Sequence, residues 1–133
     1  WPGRCRTRPR ADPGEALLSR GRVGRLVLAV VLVALQCLAL YAPDTSGVPG
    51  GEIPGLDKVA HVLVFALPTF ALLAAGARRR LVVGVMLIQA LASEFVQGAL
   101  LPHRSGDVLD ALADAVGIGV ALIADALVRR PRS

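Results

Sequence analysis

At 133 residues the chain has room for one domain. Hydrophobic residues make up 54% and mean hydropathy is +0.59, yet aromatics are only 4%; Leu, Val, Ala and Gly fill the volume that Phe, Tyr and Trp fill in a small soluble core. The net charge of +5 comes from arginines in short blocks between and beyond the apolar runs, which is a membrane-orientation pattern and argues against a nucleic-acid partner.

Residues 1–22 come first. They hold Arg4, Arg6, Arg8, Arg10, Arg20 and Arg22 with Pro2, Pro9 and Pro13, and bury too little apolar surface to fold alone. We expect a basic disordered tail, or sequence upstream of the native start, since the first residue is Trp1. Cys5 in this tail and Cys37 in an apolar run are badly placed to bridge, and no CxxC or Cys/His spacing marks structural zinc.

Four windows then approach the ~20 residues that a ~30 Å hydrocarbon layer demands. They are residues 23–42, 57–76, 81–101 and 107–128, the last two carrying carboxylates. The first window could be taken for a signal peptide, but it outruns the usual h-region of about 7–15 residues and no A-x-A site closes it. Within the second, Pro68 marks an expected kink.

The connections set the expected orientation. Arg20, Arg22 and Arg25 flank the first window, Arg78, Arg79 and Arg80 join the second to the third, and Arg129, Arg130 and Arg132 follow the fourth. The 43–56 connection has Asp44 and Glu52 but no basic residue, and the 102–106 connection has Arg104 alone. Basic residues stay on the cytoplasmic side. The fold class expected is therefore all-α, an integral membrane four-helix bundle over residues 23–128 with amino and carboxyl termini cytoplasmic. Residues 129–133 are expected to form a short basic cytoplasmic tail.

In that orientation nearly every intramembrane ionisable group lies in the outer half. Asp57 and His61 sit in the outer turns of the second helix at i, i+4; Glu94 and Gln97 near the outer end of the third at i, i+3; Asp107, Asp110 and Asp114 on the fourth at i, i+3, i+7. Asp125 falls at the opposite end, in reach of solvent or Arg129. Ala113, Gly117 and Ala121 form a small-residue row that admits a close neighbour. A charge at the centre of a spanning helix costs about 2.5–3.5 kcal/mol, so these carboxylates need partners, protonation or water, with His61 and Arg104 the nearby cations. Ionisable groups in a membrane mark a functional site by default.

At these residues the sequence resembles the VanZ-like family of small bacterial membrane proteins, over about residues 26–128. The chain has DKVAH at Asp57, Lys58 and His61, followed by Phe65. It has EFVQ at Glu94 and Gln97, and RSGDVLDALADAVG giving Arg104, Asp110 and Gly117. Two positions depart: Asp114 stands where the family usually has Asn, and Asp107 where a small polar residue is common. The resemblance implies a multi-pass protein of the bacterial cytoplasmic membrane with a role at the cell envelope, its founding member being associated with resistance to teicoplanin-type glycopeptides. It implies no reaction and no cofactor.

Each residue keeps a structural reading beside the functional one. His61 either bridges helices or moves a proton; Glu94 either pairs or takes part in that transfer; Lys58 marks the interface. Arg104 either anchors at head groups or holds an anion, and Asp110 and Asp114 either orient the others or knit the bundle. Signatures of intramembrane serine proteases, H-x4-D acyltransferases, prenyl-protein proteases and H-E-x-x-H enzymes are all absent. No spacing selects a metal set among His61, His103, Glu94 and Asp110, so no metal is expected. The expected partners are the lipid bilayer and a lipid or cell-wall precursor head group, bound or modified by His61 and Glu94 within a polar cluster of Asp57, Gln97, Arg104, Asp107, Asp110 and Asp114. The competing expectation is a non-enzymatic module whose polar network only holds the bundle together. A proton-coupled carrier is weaker, for lack of a polar path in the inner half.

Overall fold

The computed structural model describes residues 13–41, 55–100 and 108–130, with side chains in the first helix from Arg20 onward. Among them are four helices and no strand: α1 (Pro13–Tyr41), α2 (Leu56–Ala74), α3 (Arg79–Leu100) and α4 (Val108–Val128). The all-α expectation holds. Each helix carries a stretch of 19 to 22 residues apolar enough to cross a membrane; the shortest reaches about 28 Å at 1.5 Å per residue, close to the hydrocarbon thickness. This is the architecture of a multi-pass membrane protein.

Three of the four helices start and stop within two residues of the expected bounds. The exception is α1, which begins at Pro13 and not at residue 23. Residues 13–22 are helical and do not belong to an unstructured tail. Pro suits a first helical turn, where its missing N–H is not needed, and Arg, Ala and Leu propagate a helix well.

The end of α2 is set by one glycine. Gly76 has φ 92°, its N–H donates to the Leu73 carbonyl at 2.9 Å, and the Ala77 N–H donates to the Leu72 carbonyl at 3.0 Å. This left-handed closure turns the chain into α3 within a few residues. Pro68 lies inside α2, fully buried, and the helix continues through it.

Successive helices run antiparallel. Side-chain bonds join the ends of α1 and α3, the starts of α2 and α4, and the ends of α2 and α4, so α1 parallels α3 and α2 parallels α4. The α2–α4 contact is the most extensive, and α1 packs on α2 and α3. The core is built around Phe65, Leu73, Met86, Leu40 and Ile118. Outward positions are Leu, Val and Ile: Val30, Leu38, Ile88, Leu91, Leu100 and Ile123 are all exposed, as lipid contact requires.

Ala113, Gly117 and Ala121 are buried, and at Gly117 the α4 backbone lies directly against that of α2. A methyl group there would overlap the Val62 carbonyl oxygen and come within 3.2 Å of the Ala66 nitrogen. The two backbones meet with nothing between them, as small residues permit in membrane helices. One turn before Gly117 lies Asp114, and one residue before Val62 lies His61. The close approach thus fixes their separation.

Candidate functional site

Polar groups gather at the end of the bundle where α2 and α4 begin and α3 ends. Lys58 and His61, at i, i+3 on α2, face Asp110 and Asp114, at i, i+4 on α4. Lys58 Nζ donates to Asp110 Oδ1 at 2.5 Å and to Asp57 Oδ2 at 3.0 Å. His61 Nδ1 is 2.8 Å from Asp114 Oδ1, and its Nε2 is 3.9 Å from Asp110 Oδ2. Side-chain exposure falls along this row, from 32% at Lys58 to 17% at His61, 14% at Asp110 and 0% at Asp114. The cluster is therefore graded, wet at Lys58 and dry at Asp114.

Glu94 of α3 closes the third side. Ligating atoms of His61, Glu94 and Asp114 all lie within 4.8 Å of one another, and Glu94 Oε1 is out of contact with solvent. Asp114 Oδ1 takes the His61 bond, whereas its buried Oδ2 has no hydrogen-bond partner among the described residues. A buried carboxylate oxygen without a partner is costly, by about 1–3 kcal/mol or more, and is the kind of exception that marks a site.

Of the residues expected from sequence, His61, Glu94, Asp110 and Asp114 come together on three helices. Asp57 does not face them: its side chain is 60% exposed and joins through Lys58. Gln97 is buried and donates to the Leu40 carbonyl at 2.9 Å, fastening α3 to the last turn of α1. Arg104, Asp107 and His103 lie outside the described residues, as do the 42–54 connection and residues 1–12. Asp125 is at the far end, bonded by Arg129 Nε at 2.6 Å.

Lys58 is the member sequence reasoning undervalued. It reads as an interface residue beside Asp57, but it stands at i, i+3 from His61 and so shares that residue's face. A second, smaller set of polar contacts joins α1 to α3 in the interior. Gln36 Nε2 reaches Met86 Sδ at 3.9 Å and Gln89 Nε2 reaches Cys37 Sγ at 3.7 Å. Gln36 is buried to 2% exposure. These soft sulfur acceptors satisfy amides weakly, which suits helix cohesion better than chemistry.

The arrangement holds three carboxylates, one ammonium and one imidazole within a short radius. It can pass a proton between Asp114 and His61, hold a cation, or present Lys58 to an anion at the wetter edge. No family model, curated protein or solved structure matches this chain.

Proposed function

We propose that the chain is a VanZ-like accessory protein of the bacterial cell envelope, lying in the cytoplasmic membrane with both termini inside. Its polar cluster opens to the outer leaflet, where it binds or modifies the head group of a lipid or a lipid-linked cell-wall precursor. The observation that carries this reading is the row Lys58, Asp110, His61 and Asp114, with Glu94 beside it, drawn from three helices whose other faces are apolar. Charges in hydrocarbon are retained where they have work to do or partners to hold. The orientation draws on the three arginine blocks, whose described members lie at the other end of the bundle from the cluster. In this reading Lys58, with Arg104 of the 102–106 connection, attracts an anionic group, Glu94 and His61 manage a proton, and Asp110 and Asp114 orient them.

The test is mass spectrometry of lipids co-purifying with the full chain, with and without Glu94→Gln. A head-group site retains a defined anionic lipid that the variant loses. In a susceptible Gram-positive host, the wild type changes tolerance to lipid-tailed glycopeptides more than to vancomycin, and Glu94→Gln abolishes the effect at equal protein levels. A wild type without effect removes the antibiotic link.

A second reading has its own support. Lys58 lies between Asp57 and Asp110, and His61 meets Asp114, so the network satisfies much of itself. As a purely structural clasp it would tolerate Glu94→Gln with unchanged phenotype, and no defined lipid would co-purify.

A further inference from the structure

The triad His61, Glu94 and Asp114 has a chemistry that neither reading above uses. It offers one imidazole nitrogen and two carboxylate oxygens, from α2, α3 and α4, with the ligating atoms within 4.8 Å of one another. Zn–N and Zn–O bonds of about 2.0–2.2 Å place neighbouring ligand atoms about 3–4 Å apart, so side-chain adjustment alone closes the set around an ion. Asp114 supplies the independent indication. Its side chain is fully buried, and while Oδ1 meets His61, Oδ2 has no hydrogen-bond partner among the described residues. One oxygen of a buried carboxylate is thus left to take a further partner, and a cation at the triad would supply it.

We propose that His61, Glu94 and Asp114 form a divalent transition-metal site, taking Zn2+ or Mn2+ in preference to Mg2+. The mixed nitrogen and oxygen donors set the class. Imidazole suits zinc and its neighbours, carboxylate oxygens also suit manganese, and Mg2+ demands near-ideal oxygen octahedra that a histidine spoils. Binding through His61 Nδ1 replaces the present 2.8 Å contact to Asp114 Oδ1 by two bonds to the ion and leaves the ring proton on Nε2. That nitrogen faces Asp110 Oδ2 at 3.9 Å, near enough for a direct bond after a small rotation or for one bridging water. A carboxylate behind a ligating histidine is the usual outer support of such sites, and Lys58 in turn holds Asp110. Three protein ligands leave coordination positions open, as in catalytic rather than structural zinc sites. His61 keeps 17% exposure, giving an ion a way in.

The site shares residues with the head-group reading but does not depend on it, and the experiment separates the two. The full chain, tag removed, is purified in detergent without added lipid, stripped with chelator, desalted, and titrated with Zn2+, Mn2+ and Mg2+ by calorimetry. Retained metal is measured by elemental mass spectrometry. Wild type takes up Zn2+ or Mn2+ saturably and at least tenfold more tightly than Mg2+. Glu94→Gln and Asp114→Asn each weaken that binding tenfold or more while helical circular dichroism is unchanged, and Asp125→Asn, at the far end, leaves it as it was. Asp110→Asn, behind the histidine, weakens it less than either ligand change. Wild type with no saturable Zn2+ or Mn2+ uptake overturns the proposal, as does uptake undiminished in folded Glu94→Gln. Should Asp114→Asn fail to fold, Glu94→Gln and the wild-type titration still decide. Lipid retention measured in chelator reports on the head-group reading alone.

Discussion

Gly117 lies directly under the Val62 carbonyl, with no room for a side chain between the two helix backbones. That single contact sets the α2–α4 spacing on which the His61–Asp114 bond depends.

It follows that Gly117→Ala destabilises the bundle. Overpacking costs about 1–3 kcal/mol, more than the roughly 1 kcal/mol that alanine adds in helix propensity, because the obstructing atoms are backbone. Gly119 has nothing within 4 Å, so Gly119→Ala is neutral or mildly stabilising. Thermal unfolding of the two variants in one detergent checks the contrast, and equal melting points would contradict it.

The Lys58–Asp110 pair is open to a double-mutant cycle. Lys58→Met and Asp110→Leu each strand a half-buried partner, and the double variant recovers part of the loss. The coupling expected is about 0.5–3 kcal/mol. Asp57→Asn, at an exposed pair, leaves stability unchanged within error. Additive single losses would show that the pair is incidental.

Asp114 separates acceptor from charge. Asp114→Asn keeps an oxygen for His61 and leaves the fold within about 1 kcal/mol of wild type, whereas Asp114→Ala removes the acceptor and costs about 1–3 kcal/mol. Chemical denaturation of helical signal ranks them. Equal losses in the two variants would mean the carboxylate charge, not the bond, holds the helices.

Orientation is tested by cysteine labelling in a background with Cys5 and Cys37 replaced. Gly50→Cys and Gly106→Cys react with an impermeant thiol reagent added to intact cells, and Ala77→Cys, beside the arginine turn, does not. Labelling at 77 from outside would invert the topology and place the cluster at the inner leaflet.

The four spans were legible because length and hydropathy alone decide them, and the arginine-bearing turn at 76–78 divides α2 from α3. The start of α1 was not, since basic residues lower hydropathy without lowering helix propensity. In the cluster, Glu94, His61, Asp110 and Asp114 followed from face periodicity. The rotation of α2 did not. Asp57 and Lys58 both stand at same-face spacing from His61, at i−4 and i−3, so periodicity alone leaves the choice open. The acidic row on α4 resolves it, drawing in the lysine and leaving Asp57 exposed at 60%. That His61, Glu94 and Asp114 meet as one triad was not legible either, because they come from three helices and share no linear spacing.

The bonds from Lys58 and His61 cross 52 and 53 residues of sequence, and this has a consequence for biogenesis. At synthesis rates of about 5–20 residues per second, Lys58 and His61 leave the ribosome several seconds before Asp110 and Asp114 do. During that interval a lysine and a histidine approach hydrocarbon before their α4 acids arrive, so α2 must stay beside the insertion machinery or sit shallowly until α4 emerges. A nascent chain that stops after α3 is consequently a ready substrate for membrane quality control, and arrival of the fourth helix is the event that commits the protein to its fold.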